Sequence, residues 1–207
     1  MTQLPSSNKP KRLVFIGNSL SNCGAGVVYY SYRFPNSLYS SVIGAGKKYI
    51  FGAYAVPGLQ ANQILTQWST VMGQNPITPG DVVVVWEGIN DMGAGGLDGT
   101  QAYNNLVTIC SNCKALGATT VLLSVIPANL TGTYPNWETY RGTCNSLMNT
   151  NQATICDKYV DLTANAVFTS SSAYTNSTYY HTDTIHLKDV GYDLVASIVY
   201  SAISGIL

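Results

Sequence analysis

Four consecutive valines, Val82 to Val85, set between Asp81 and Trp86, constrain the fold of this chain more than any other stretch. A strand with water on one face alternates apolar and polar side chains, so a run without alternation must be covered on both faces. Residues 81–86 therefore read as the central strand of a layered sheet. Residues 12–16 and 119–126 are similar short apolar runs bounded by turn residues, the second ending at Pro127. Residues 48–56 form a mixed apolar and aromatic run that stops at Pro57-Gly58, and residues 159–162 make a fifth, minimal strand.

Helical patterns separate these runs. Ile64, Leu65, Trp68, Val71 and Met72 share one face of a helix, and a stripe from Tyr103 to Leu116 marks another, closed by Gly117. Asn136 is placed to cap a third helix, with Trp137, Tyr140, Cys144, Leu147 and Met148 inward. Val190, Leu194, Val195, Ile198 and Val199 define the last, while residues 21–41 read as a loop followed by a short helix. Alternating strands and helices predict an α/β fold with a mostly parallel sheet between helical layers. Ligands of such sheets bind beyond the carboxyl ends of the strands.

A chain of 207 residues is long enough for one substantial core. Residues 1–11, polar with two prolines, read as a flexible arm, and residues 12–207 as a single domain. Ten basic residues balance ten acidic ones, so no long-range field draws the chain to nucleic acid or anionic lipid. The apolar run 13–16 is too short for a signal-peptide core or a membrane span. Polarity comes from Asn, Ser, Thr and Tyr, a composition common in secreted, cell-surface and virion proteins. Asn129-Leu130-Thr131 and Asn176-Ser177-Thr178 match glycosylation sequons, which matter only in a eukaryotic secretory pathway. Five cysteines do not make a disulfide framework in a domain of this size. Cys110 and Cys113 fall on the apolar face of their helix and read as buried structural thiols; no second ligand pair suggests zinc.

Three blocks carry residues that acyl transfer requires. Gly17-Asn18-Ser19-Leu20-Ser21 follows the first strand and offers a hydroxyl. Gly88-Ile89-Asn90-Asp91 follows the central strand and offers an amide, with Asp91 read as a loop brace. Asp183-Thr184-Ile185-His186, in the long loop before the last helix, offers a carboxylate and an imidazole. Ester cleavage needs a nucleophile, a base to take its proton, and donors for the oxyanion. Of the chain's two histidines, His181 lacks a carboxylate at a comparable spacing upstream, so His186 is the candidate base and Asp183 its orienting partner. Asn90, the Gly58 N–H and the Ser19 N–H are the candidate oxyanion donors. Each block alone has a plainer reading: Ser19 as a turn residue, Asp183 as the cap of the last helix, Gly58 as part of a Pro-Gly turn.

Taken together, the blocks resemble those of the SGNH hydrolases, the GDSL-type esterase and lipase superfamily. Ser19, Gly58, Asn90 and His186 match its four named positions, Asp183 its carboxylate, Gly88-Ile89-Asn90-Asp91 its G-x-N-D and Asp183 to His186 its D-x-x-H. The likeness runs from about residue 12 to the C-terminus. It implies a flavodoxin-like three-layer α/β/α sandwich with a five-stranded parallel sheet, a Ser19–His186–Asp183 triad, and no metal or organic cofactor. One departure stands out: the G-D-S-L block reads Gly17-Asn18-Ser19-Leu20, with Asn for Asp.

The substrate is read from the loops. Residues 22–32, 93–99, 129–137 and 170–180 are rich in Tyr, Asn, Ser, Thr and Gly, with Trp137 as an aromatic platform. Aromatic faces with amides suit sugars, and glycine-rich turns leave room for a small acyl group. The expectation is an esterase acting on acetyl or other short acyl esters of a carbohydrate. The rivals are a lysophospholipase or thioesterase of the same superfamily, and a non-catalytic glycan-binding module.

Overall fold

Five strands, β1 (Lys11–Gly17), β2 (Tyr49–Ala55), β3 (Val82–Trp86), β4 (Thr119–Leu123) and β5 (Lys158–Val160), pair in parallel in the order β2-β1-β3-β4-β5. The structure, a computed structural model, describes residues 10–22, 33–74 and 76–207. Among the described residues seven α-helices connect or follow the strands: α1 (Arg33–Gly44), α2 (Ala61–Thr66), α3 (Trp68–Gln74), α4 (Ile89–Met92), α5 (Gly99–Ala115), α6 (Trp137–Ile155) and α7 (Asp189–Ile203). They form two layers, α1 packed on α7, and α5 packed on α6 and α2. This is the three-layer α/β/α arrangement expected. All five residues of β3 are buried, which accounts for its unbroken valines, whereas edge strand β2 alternates.

The strand order reverses between β1 and β3: the chain runs outward from β1 to β2, then crosses back to β3. Such a reversal opens a crevice at the carboxyl ends of the two strands. Here Gly17 of β1 lies opposite both Ala55 of β2 and Trp86 of β3. A Cβ on Gly17 would sit 2.6 Å from the Trp86 carbonyl oxygen and 2.8 Å from the Ser21 side chain, so only glycine permits this close exit from β1.

Several local expectations need correction. The stripe from Ile64 to Met72 spans two helices, because Gln67 (φ −95°, ψ 17°) ends α2 and its side chain takes a hydrogen bond from the Tyr54 hydroxyl at 2.6 Å. The fourth strand stops at Leu123. Beyond it, the Asn145 side chain accepts from the Val125 N–H and donates to its carbonyl, both at 2.9 Å, and replaces a strand neighbour. Asn136 stands at the N-cap of α6, but its amide donates to the Tyr140 hydroxyl instead of capping the backbone. Val190, which the apolar spacing places on the inner face of the last helix, faces solvent. Trp137 is fully buried, at 0% exposure, and is a core residue of α6 that no ligand can use as a platform. Cys110 and Cys113 are buried and unbridged on the inner side of α5, and burial pushes the Cys113 thiol up to about 12. Most of the arm 1–11, Cys23 and nearly all of the 22–32 loop lie outside the described residues.

Candidate active site

Ser19 begins a single 3-10 turn (Ser19–Ser21) immediately after β1. Asn18 caps that turn, its side-chain Oδ1 accepting the Leu20 N–H at 2.9 Å. The turn points the Ser19 hydroxyl at an imidazole 167 residues later: Oγ lies 2.8 Å from His186 Nε2. Both residues are largely covered, Ser19 at 7% and His186 at 8% exposure. Little water therefore competes for this contact.

The imidazole is held from its other side. Asp183 Oδ2 lies 2.7 Å from His186 Nδ1, and Asp183 Oδ1 accepts the backbone N–H groups of Ile185 and His186, each at 2.9 Å. Burial alone would raise the Asp183 carboxyl, but those two N–H bonds and the imidazole outweigh it and leave the group below the usual carboxylate value. A carboxylate at Nδ1 favours the tautomer with its proton there, which leaves the Nε2 lone pair facing Ser19. Lys188, and not Asp183, stands at the N-cap of α7 and makes no side-chain cap bond, so Asp183 is not the cap of that helix.

The loop bearing Asp183 and His186 is tightly specified. Thr184 has φ +59°, the one non-glycine residue with positive φ among the described residues. A β-branched residue there is strained, and persists only when its surroundings fix it. They do: the Thr184 N–H donates to the His181 carbonyl at 3.0 Å, and the Thr184 carbonyl accepts the Asn129 N–H at 3.1 Å. The His181 N–H returns to the His186 carbonyl at 2.9 Å. Beneath the loop, buried Tyr180 donates its hydroxyl to the Pro127 carbonyl at 3.0 Å.

The remaining two residues meet at the switch crevice. Gly58 sits at φ +81° in the turn after β2, closed by the Leu59 N–H to the Val56 carbonyl at 3.2 Å. Asn90, in α4 just past β3, donates one amide hydrogen to the Leu59 carbonyl at 2.8 Å, which brings the amide beside the Gly58 turn. Asp91 strengthens the same junction. Its buried carboxyl accepts the Ala61 N–H at 2.8 Å and the Asn105 amide at 3.2 Å. Burial raises the Asp91 carboxyl despite those bonds. Asp91 thus braces, as read from the sequence. Among the described residues neither the Ser19 N–H nor the Gly58 N–H has an acceptor, and Asn90 keeps a second amide hydrogen.

Glu87 was not singled out from the sequence. It is 2% exposed and joins the first two blocks, its Oε2 accepting the Asn18 amide at 2.6 Å and the Gly88 N–H at 2.9 Å. An acid directly after five buried apolar residues was the available signal, because a charge so placed needs partners.

The profile of the GDSL-like lipase/acylhydrolase family matches residues 15–194. Among solved structures, TesA superposes with a TM-score of 0.71 at 19% identity, over 95% of this chain and 100% of its own. A lipase/acylhydrolase from Enterococcus faecalis gives 0.68 at 16% identity, covering 95% and 97% of the two chains. A psychrotrophic esterase, EstA from Pseudoalteromonas sp., in a structure inhibited by monoethylphosphonate, gives 0.67 at 15%, covering 94% and 97%. At these identities the likeness is one of fold. No curated protein sequence matches the chain.

Proposed function

We propose that this chain, which belongs to the GDSL-like lipase/acylhydrolase family, is a serine esterase that releases acetyl or another short acyl group from a carbohydrate. The observation that carries the chemistry is the continuous chain from Ser19 Oγ to His186 Nε2 at 2.8 Å and from His186 Nδ1 to Asp183 at 2.7 Å. In this reading, Ser19 Oγ attacks the ester carbonyl while His186 Nε2 takes its proton. The oxyanion that forms is met by the Ser19 and Gly58 N–H groups and the second amide hydrogen of Asn90. Collapse breaks the C–O bond, and the imidazolium, steadied by Asp183, returns the proton to the departing alcohol. Water then repeats the sequence on the acyl-enzyme and releases the acid and free Ser19.

The substrate class rests on the surrounding loops. The Asn129 N–H bonds to Thr184 beside His186, and Leu130 and Tyr134 lie against Gly93, just past α4. Residues 129–134 therefore span from the imidazole loop to the amide block. With Trp137 withdrawn into the core, half-buried Tyr134 is an aromatic face on this segment that a sugar ring could use. A fluorophosphonate probe is the first test, since it reacts with activated serines and a phosphonate inhibits the Pseudoalteromonas esterase. Labelling at Ser19, absent in Ser19→Ala, is expected; no adduct on folded protein would favour a glycan-binding module. Faster hydrolysis of p-nitrophenyl acetate than of the decanoate, and acetate release from acetylated glycans, are expected. A preference for the decanoate would point to a lysophospholipase or thioesterase.

A further inference from the structure

We infer that Glu87 is a positioning residue for the nucleophile: by receiving the Asn18 amide and the Gly88 N–H on one oxygen, it clamps the Ser19 turn to the block that carries Asn90. This inference rests on the hydrolase reading above and explains the one departure of the chain from its family's first block. Asn18 has two jobs, divided between the two ends of its amide. Its oxygen caps Leu20 at 2.9 Å, a task an aspartate performs equally well. Its nitrogen donates to Glu87 Oε2 at 2.6 Å, a task an aspartate cannot perform. With Glu87 in place, an aspartate at position 18 would set two carboxyl groups face to face. Asparagine is the residue of the same shape that turns this repulsion into a bond.

The location gives the pair its leverage. Asn18 precedes Ser19, and Glu87 lies three residues before Asn90, so one side-chain bond spans 69 residues and joins nucleophile to amide. Gly88, held by the same oxygen, has φ +106° and a Cβ there would lie 3.2 Å from Val125, so the bend into α4 is glycine's alone. Both side chains of the pair are also buried. Burial and the neighbouring Asp91 push the Glu87 carboxyl well above its ordinary value, although the Gly88 and Asn18 bonds pull it down. A bond in such surroundings resists competition from water, and losing it shifts the groups it held. Misplacing a nucleophile by about 1 Å can cost on the order of 100-fold in rate.

The experiment measures fluorophosphonate labelling rates and p-nitrophenyl acetate kinetics for the wild type, Asn18→Asp, Glu87→Gln, Glu87→Leu and the Asn18→Asp/Glu87→Leu double variant, with circular dichroism to establish folding. Glu87→Gln keeps an oxygen for both donors and is expected to label within about threefold of wild type. Asn18→Asp keeps the cap, loses the bond, and is expected to label on the order of 10- to 100-fold more slowly, with kcat reduced and KM little changed. The double variant should be no slower than Glu87→Leu alone, because the facing carboxyl is gone. Folded Asn18→Asp labelling at the wild-type rate, a loss confined to KM, or equal losses in Glu87→Gln and Glu87→Leu would each overturn the inference. The two isosteric single variants keep the test decisive if Glu87→Leu does not fold. A wild type that does not label at all would overturn the hydrolase reading, and the positioning role with it.

Discussion

The two ends of the sheet use the same residue types for opposite ends. At the amino ends, Asp81 accepts the backbone N–H groups of Arg12 and Thr78, both at 2.8 Å, and Asp157 accepts the N–H and hydroxyl of Thr120 at 2.7 and 2.9 Å. These carboxyls fasten the starts of strands to one another. At the carboxyl ends, Glu87 holds Asn18, Asp91 ties the α4 block to the start of α2, and Asp183 grips His186. Each of these acids holds a side chain or loop that the proposed reaction uses. A buried carboxyl is thus not itself a mark of function; the partner it holds decides.

That contrast can be broken by mutation. The largest effect is expected for Asp183→Asn, which supplies an amide that can hold the imidazole in the wrong tautomer; kcat for p-nitrophenyl acetate should fall by about 10² to 10⁴. Asn90→Ala removes one oxyanion donor and should lower kcat by about 10² to 10³, with KM nearly unchanged. At the opposite end, Asp81→Ala leaves the Arg12 and Thr78 N–H groups without their acceptor. It should cost about 1–3 kcal/mol in denaturant unfolding while kcat of the folded protein stays at the wild-type value. A kcat loss for Asp81→Ala as large as that for Asn90→Ala would erase the distinction between the two ends.

The smallest effect concerns pH and separates two acids at the same end. Folding raises the Glu87 carboxyl, so its contribution to stability is full below the ordinary carboxylate value and is lost as pH rises through the raised one. Folding lowers the Asp183 carboxyl, so its contribution is present above the ordinary value and is lost as pH falls through the lowered one. Thermal unfolding of Glu87→Gln should lose the alkaline part of the wild-type decline, and Asp183→Asn the acidic part. Unchanged profiles in both variants would contradict the assignment.

The sheet was legible because its central strand carries no polar residue to blur the pattern, and because Gly and Pro mark the ends of the runs. The site blocks were legible for a related reason. Ser19, Gly58 and Asn90 each stand just past a strand, where short motifs and topology coincide, and Asp183 and His186 lie three residues apart. What stayed hidden depends on contacts between distant segments. The bond between Asn18 and Glu87 crosses 69 residues, and neither residue alone reveals it. Trp137 has the look of a binding platform, and its burial at the start of α6 shows only in the packed structure. Likewise the break at Gln67, where the Tyr54 hydroxyl bonds the side chain, interrupts an apolar stripe that is continuous in sequence.

The central claim is that Ser19, beside His186 at 2.8 Å, is the atom to which the acyl group is transferred. Rapid acid quenching during turnover of p-nitrophenyl acetate, followed by mass spectrometry of the digested protein, tests it directly. An acetyl group on the peptide containing Ser19, formed in the first turnover and absent from Ser19→Ala, is the predicted result. Undiminished turnover by Ser19→Ala, or acetyl found only on another residue, would contradict it.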